Sequence, residues 1–175
     1  MTTVVVPFAG AAGKTRLDAP RSTRRELSLA MLADVLAAAI PVGRTLVVTP
    51  EADGIELMGV EVVDDPGGGQ GAAVQAALVG LEGKVLVVNA DLPCVKTADL
   101  LALLEAIPPR GLALVEARDG TTNALGLSSP DLFQPLYGPG SANRFRALGA
   151  VPVTIPNLAD DVDTAADLDR LGIAR

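Results

Sequence analysis

A chain of 175 residues with 49% hydrophobic but only 2% aromatic residues fits one domain spanning 1–175, with a core of Val, Leu, Ala and Ile. A net charge of -7 leaves no basic stripe for nucleic acid, and the absence of histidine removes Ser-His and Cys-His nucleophiles and imidazole bases, so chemistry must rest on carboxylates, Lys, Arg, metal ions and backbone amides. The lone cysteine, Cys94, excludes an internal disulfide or a multi-cysteine metal site and reads as structural.

In chain order, strands are expected at Thr3–Pro7, Thr45–Thr49, Val60–Val63, Val85–Asn89, Leu112–Ala117, Ala124–Leu127 and Val151–Ile155, and helices at Thr23–Ala39, Ala72–Leu81, Ala98–Ala106, Ala142–Leu148 and Ala165–Leu171. This alternation predicts a mostly parallel sheet with helices on both faces. In the first helix Leu27, Met31, Leu32, Val35 and Leu36 recur at helical spacing and form a core stripe, ended by Pro41 and Gly43. No apolar run reaches the roughly 18 residues of a membrane span, and Met1-Thr2-Thr3 leads straight into a strand, so no membrane partner and a cytoplasmic location are expected.

The first strand feeds the loop Phe8-Ala9-Gly10-Ala11-Ala12-Gly13-Lys14-Thr15-Arg16-Leu17. It is not a Walker A loop, because Phe8 stands where that motif needs a glycine and Pro20 interrupts the helix that should follow. It resembles instead the signature of nucleotidyltransferases, in which small residues such as Gly10 and Gly13 let backbone amides approach phosphate oxygens. Lys14 and Arg16 would then offset charge on the α-phosphate and the leaving diphosphate. The cations Lys14, Arg16, Arg21, Arg24 and Arg25 are bunched here, either as a solvated loop and helix start or as a positive pocket for polyphosphate, which the flanking glycines favour.

After the third strand, Gly67-Gly68-Gly69-Gln70-Gly71 is either a flexible turn before a helix or a nucleotide loop, where amides at the helix start and the side chain of Gln70 or Gln75 read a purine edge or ribose. The fourth strand, Val85-Leu86-Val87-Val88, delivers Asn89, Ala90 and Asp91 to the mouth of the sheet. An acid there calls for a partner, and a divalent metal carrying a phosphate is the simplest, which points to nucleotide chemistry. Farther on, exposed amides at Gly140 and Ser141 offer a carboxylate nest or an ordinary helix cap. In Asp160-Asp161-Val162-Asp163-Thr164, Asp163 either caps the last helix or turns back toward Asp91 to complete a two-carboxylate magnesium site.

Taken together, Lys14-Thr15-Arg16-Leu17, the Gly-Gly-Gly-Gln-Gly stretch, Ala90-Asp91-Leu92-Pro93, Thr121-Thr122-Asn123-Ala124-Leu125, Gly138-Pro139-Gly140-Ser141 and Asp161-Val162-Asp163-Thr164 resemble, in the same order, the guanylyltransferases of deazaflavin coenzyme F-420 biosynthesis. The resemblance implies a three-layer α/β/α Rossmann-like nucleotide-diphospho-sugar transferase fold with a mostly parallel mixed sheet. It further implies GTP and magnesium, and a phosphorylated three-carbon acid as acceptor: phosphoenolpyruvate in the bacterial branch, 2-phospho-L-lactate in the archaeal one. Gly10, Gly13, Lys14, Gln70 and Gly71 are expected on the nucleotide side, and by the same resemblance Thr122, Gly138 and Ser141 would hold the acceptor's carboxylate, with Asp91 and Asp163 on magnesium. The chain departs from the family pattern at Asn89, where relatives usually carry an acid, and at Phe145, where many carry a histidine. Other readings are nucleotidyl transfer to a molybdopterin or sugar phosphate, and a non-catalytic nucleotide-binding protein whose site decayed at Asn89. The oligomeric state stays open, a homodimer among the options.

Overall fold

The computed structural model describes residues 1–10, 16 and 18–173. Among them lie seven strands: β1 (Thr2–Pro7), β2 (Arg44–Thr49), β3 (Glu61–Asp64), β4 (Lys84–Val88), β5 (Leu112–Glu116), β6 (Thr122–Leu127) and β7 (Val151–Pro152). They form one sheet in the order β3-β2-β1-β4-β6-β5-β7. All neighbouring pairs are parallel except those of β6, which runs antiparallel to both β4 and β5. The helices are α1 (Arg21–Ala39), α2 (Gln70–Leu78), α3 (Thr97–Ala106), α4 (Ser141–Ala147), α5 (Pro156–Ala159) and α6 (Ala165–Leu171).

Because side chains alternate along a strand, the valines of β1 serve two cores. Val4 and Val6 join Leu32, Val35 and Leu36 of α1 and Leu100 and Leu103 of α3. Val5 joins Val74 and Leu78 of α2 and Phe145 of α4. The sheet is thus covered on both faces, which is the expected three-layer α/β/α arrangement and explains why β1 and β4 read as unbroken apolar runs. A smaller cluster of Met31, Val162 and Leu168 fastens the C-terminal segment to α1.

Three differences from expectation have local causes. The last strand ends at Pro152 rather than Ile155, since Pro152 brings no N–H to the ladder and Pro156 opens α5. Helix α2 starts at Gln70, two residues early, because Gly69 adopts a φ of 92° as its cap, and it stops at Leu78 where Val79 turns extended. Strand β6 begins at Thr122 instead of Ala124, with a register shift opposite Val115 and Glu116 that leaves Asn123 as the extra residue of a bulge.

Candidate active site

The antiparallel insertion of β6 builds the site. Val88 pairs with Ala124, so the next residues, Asn89 at the exit of β4 and Asn123 at the entry of β6, face one another, with the Asn89 amide donating to the Asn123 carbonyl at 3.0 Å. Two cavities meet here. One, of about 290 Å³, runs from Phe8 and Gly10 to Gly69. The other, of about 540 Å³, reaches Arg16, Thr122, Gly138 and Ser141. They share Gln70, Asn89 and Asp91.

At that junction Asp91, Asp161 and Asp163, all half-buried, bring carboxylate oxygens within 4.8 Å of one another. Asp161 was not singled out from sequence, although an extended backbone puts residues two apart on one side. Val162 between them is buried, and its amide donates to the Asp91 carbonyl at 3.1 Å. Asp160 is engaged elsewhere, with Arg118 at 2.6 Å and Arg170 at 2.7 Å. Burial, and the charges of Asp91 and Asp163, push the Asp161 carboxyl up to about 6 against the hydrogen bond from Asn123. Three oxygen ligands that repel one another suit a hard divalent cation, so the donor set fits magnesium.

Helix capping does not occupy Asp163. The cap of α6 is Thr164, whose hydroxyl accepts from the Asp167 amide at 3.3 Å while Asp167 accepts from the Thr164 amide at 2.8 Å. Burial raises the Asp167 carboxyl, but donation to it from the Thr164 hydroxyl and amide, from Arg170 and from the Asp163 amide outweighs that cost and lowers it to about 2.

In the second cavity, the buried hydroxyls of Thr122 and Ser141 lie 3.1 Å apart. Of the nest expected at Gly140 and Ser141, the Ser141 amide is engaged: it donates to the Gly138 carbonyl at 3.0 Å, because the Gly138-Pro139-Gly140-Ser141 segment closes on itself as a turn, and the next amide, of Ala142, donates to the Gly120 carbonyl at 3.2 Å. The Thr122 and Ser141 side chains bring hydroxyls to this wall. Arg144 clamps the turn through the carbonyls of Leu136, Tyr137 and Pro139. Phe145 is fully buried and meets Tyr137 edge to face at 5.5 Å, so the aromatic at this position supports the cavity wall. Burial pushes the Tyr137 phenol well up, which keeps it a proton donor. Asp119, also on this cavity, is raised by burial but more strongly lowered by the Thr121 hydroxyl and amide and by the Arg16 charge, ending below its ordinary value.

The remaining expected residues divide. Gly10 borders the first cavity with φ +62°, and a Cβ there would stand 2.6 Å from the Glu51 carboxylate. Gln70 touches both cavities and donates to the Asn89 side-chain oxygen at 2.7 Å. Gly71 packs against Pro135, whose Cβ would lie 2.7 Å from an added Cβ, so its smallness lets the two loops approach. Gly13 and Lys14 lie outside the described residues. Beside Asp161, the sequence reading gives no role to Asn123, which the register shift in β6 brings to the cluster and which donates to Asp161 at 3.2 Å.

Residues 2–147 match the family described as guanylyl transferase CofC like. Phosphoenolpyruvate guanylyltransferase of Nocardia farcinica is 38% identical over 165 residues, covering 84% of this chain and 73% of its own. That of Sphaerobacter thermophilus is 35% identical over 192 residues, covering 98% and 93%. Among solved structures, a nucleotidyl transferase from Methanothermobacter superposes with a TM-score of 0.69 at 19% identity, covering 98% of this chain and 95% of that one. The 2-C-methyl-D-erythritol 4-phosphate cytidylyltransferase of Thermus thermophilus superposes with 0.68 at 20%, covering 95% of each. Both share the fold.

Proposed function

The chain belongs to the guanylyl transferase CofC-like family and is a nucleotidyltransferase; on that premise we propose that it moves GMP from GTP onto the phosphate of phosphoenolpyruvate, with release of diphosphate, in coenzyme F-420 biosynthesis. The observation that carries this reading is the junction of two cavities at Asp91, with a three-carboxylate cluster beside it. Donor nucleotide in the first cavity and acceptor in the second would present the α-phosphorus and the attacking phosphate oxygen to one another across that point.

The step needs no covalent enzyme intermediate and no strong base, since the acceptor phosphate is already ionised near neutral pH. A bond forms from its oxygen to the α-phosphorus, and the bond to the bridging oxygen of the departing diphosphate breaks. Alignment and charge neutralisation are what the protein must supply. Gln70 and the glycine loop would border the nucleotide side, Arg16 would bring positive charge to the acceptor cavity, and the Thr122 and Ser141 hydroxyls would bind the acceptor's carboxylate. Asp91, Asp161 and Asp163 would hold magnesium, which when bound neutralises phosphate charge and orients both reactants. The chain without histidine has no need of one here.

Diphosphate release from GTP with phosphoenolpyruvate tests the reading. Turnover dominated by 2-phospho-L-lactate would reassign the acceptor, and inactivity with both acids would overturn the function.

A further inference from the structure

Asn89 stands one residue beyond β4 and two before Asp91, and its side chain is engaged with Gln70, Thr122 and Asn123. Its Nδ2 group donates to the Thr122 carbonyl and to Asn123 Oδ1, both at 3.3 Å, and its Oδ1 accepts from Gln70 Nε2 at 2.7 Å. Asn123, 1% exposed, donates from Nδ2 to Asp161 Oδ1 at 3.2 Å. The Thr122 carbonyl and the ionised Asp161 carboxylate can only accept, so each pins the amide next to it: Nδ2 of Asn89 must face Thr122, and Nδ2 of Asn123 must face Asp161. With both amides so turned, the only group that fits against Asn89 Oδ1 is a donor, and Gln70 supplies it. A carboxylate at position 89 would confront the Thr122 carbonyl and Asn123 Oδ1 with a third acceptor. The bulge in β6 is what aims Asn123 along this line.

We propose that Asn89 and Asn123 are positioning residues forming a one-way amide relay, from Gln70 through Asn89 and Asn123 to Asp161, that holds the Asp161 carboxylate in place to share a cation with Asp91 and Asp163. The inference rests on reading the acid cluster as the magnesium site. It assigns work to one half-buried and one fully buried amide, and it makes Asn89 a requirement of this chain's site rather than a lost ligand. Groups that orient metal ligands in this way typically contribute about tenfold or more to metal affinity.

The test is a calorimetric titration of the 175-residue chain with manganese(II) alone, without nucleotide or acceptor, on wild type, Asn89→Ala, Asn123→Ala and the double variant, each checked for an intact melting transition. Asn123→Ala should weaken manganese binding by about tenfold. Asn89→Ala should weaken it by a smaller factor, and the double variant should be no worse than Asn123→Ala, because both changes break one chain. Asn89→Asp keeps the shape of the side chain and so serves even if a truncated variant fails to fold. The relay requires it to weaken manganese binding by turning Asn123's oxygen toward Asp161, whereas a new metal ligand would tighten it. Unchanged affinity in Asn123→Ala, additive losses in the double variant, or tighter binding in Asn89→Asp overturns the relay. Wild-type protein that takes up no manganese overturns the cation reading beneath it.

Discussion

Val162 donates its backbone amide to the carbonyl of Asp91 at 3.1 Å, and this bond registers a segment near the C-terminus against the exit of the fourth strand. With the Val162 side chain anchored against Met31, Asp161 and Asp163 are carried to the same side as Asp91. The acid cluster is therefore a product of chain segments some seventy residues apart, held by a main-chain bond and an apolar anchor rather than by attraction among its own charges.

Asp161 links pH, cation and stability. Its carboxyl is raised from 3.8 to about 6 in the folded chain, so the folded state holds the proton to higher pH than the unfolded one. Its contribution to stability is complete below about pH 4 and is lost as pH rises through about 6. Metal-free protein should lose melting temperature across that window and regain it when magnesium is added. Asp161→Asn should flatten the window and abolish the gain. Thermal melts over pH, with and without magnesium, check this; identical profiles for wild type and variant would refute it.

Asp91→Asn removes charge from the junction of the two cavities without emptying a packed position. Turnover should fall by about 100-fold or more, on the scale of losing one preorganised electrostatic contact, while the melting temperature stays near wild type. Retention of full activity at limiting magnesium would remove Asp91 from the metal shell.

Thr122→Val and Ser141→Ala each delete one of two paired hydroxyls on the wall of the second cavity, where the proposal puts the acceptor. A hydrogen bond to a charged group contributes about 1.5–3 kcal/mol, so the acceptor KM should rise by roughly tenfold or more, with the GTP KM changed far less. Steady-state kinetics with each substrate varied in turn decide it, and a parallel rise in both KM values would place these hydroxyls in the scaffold alone.

Ser28, on α1 beside the first cavity, buries a hydroxyl that has no hydrogen-bond partner among the described residues. Leaving such a group unsatisfied costs about 1–3 kcal/mol, so Ser28→Ala should raise the melting temperature of the ligand-free protein by a few degrees. A lower melting temperature would mean that the hydroxyl is satisfied in solution.

Much of the architecture was legible because it is local. Unbroken valine runs, helical spacing in Leu27 to Leu36 and the turn glycines state their structure within a few residues, and the acid after an apolar strand announced Asp91. The resemblance named the family that the comparisons show. What the sequence could not carry are pairings between distant segments. Only the antiparallel insertion of β6 sets Asn123 opposite Asn89, and only its bulge turns that amide to Asp161. The choice between Asp163 as cap and Asp163 as cluster member was likewise open until Thr164 and Asp167 were seen to satisfy the end of α6 themselves. Nor does a Gly-Pro-Gly-Ser string disclose that its Ser141 amide is consumed by the Gly138 carbonyl. Strand and helix follow from backbone preference and the periodic burial of apolar groups, which a linear pattern records. A site made of hydrogen bonds depends on which donor meets which acceptor across the sheet, and that is decided only when register and bulge bring the segments together.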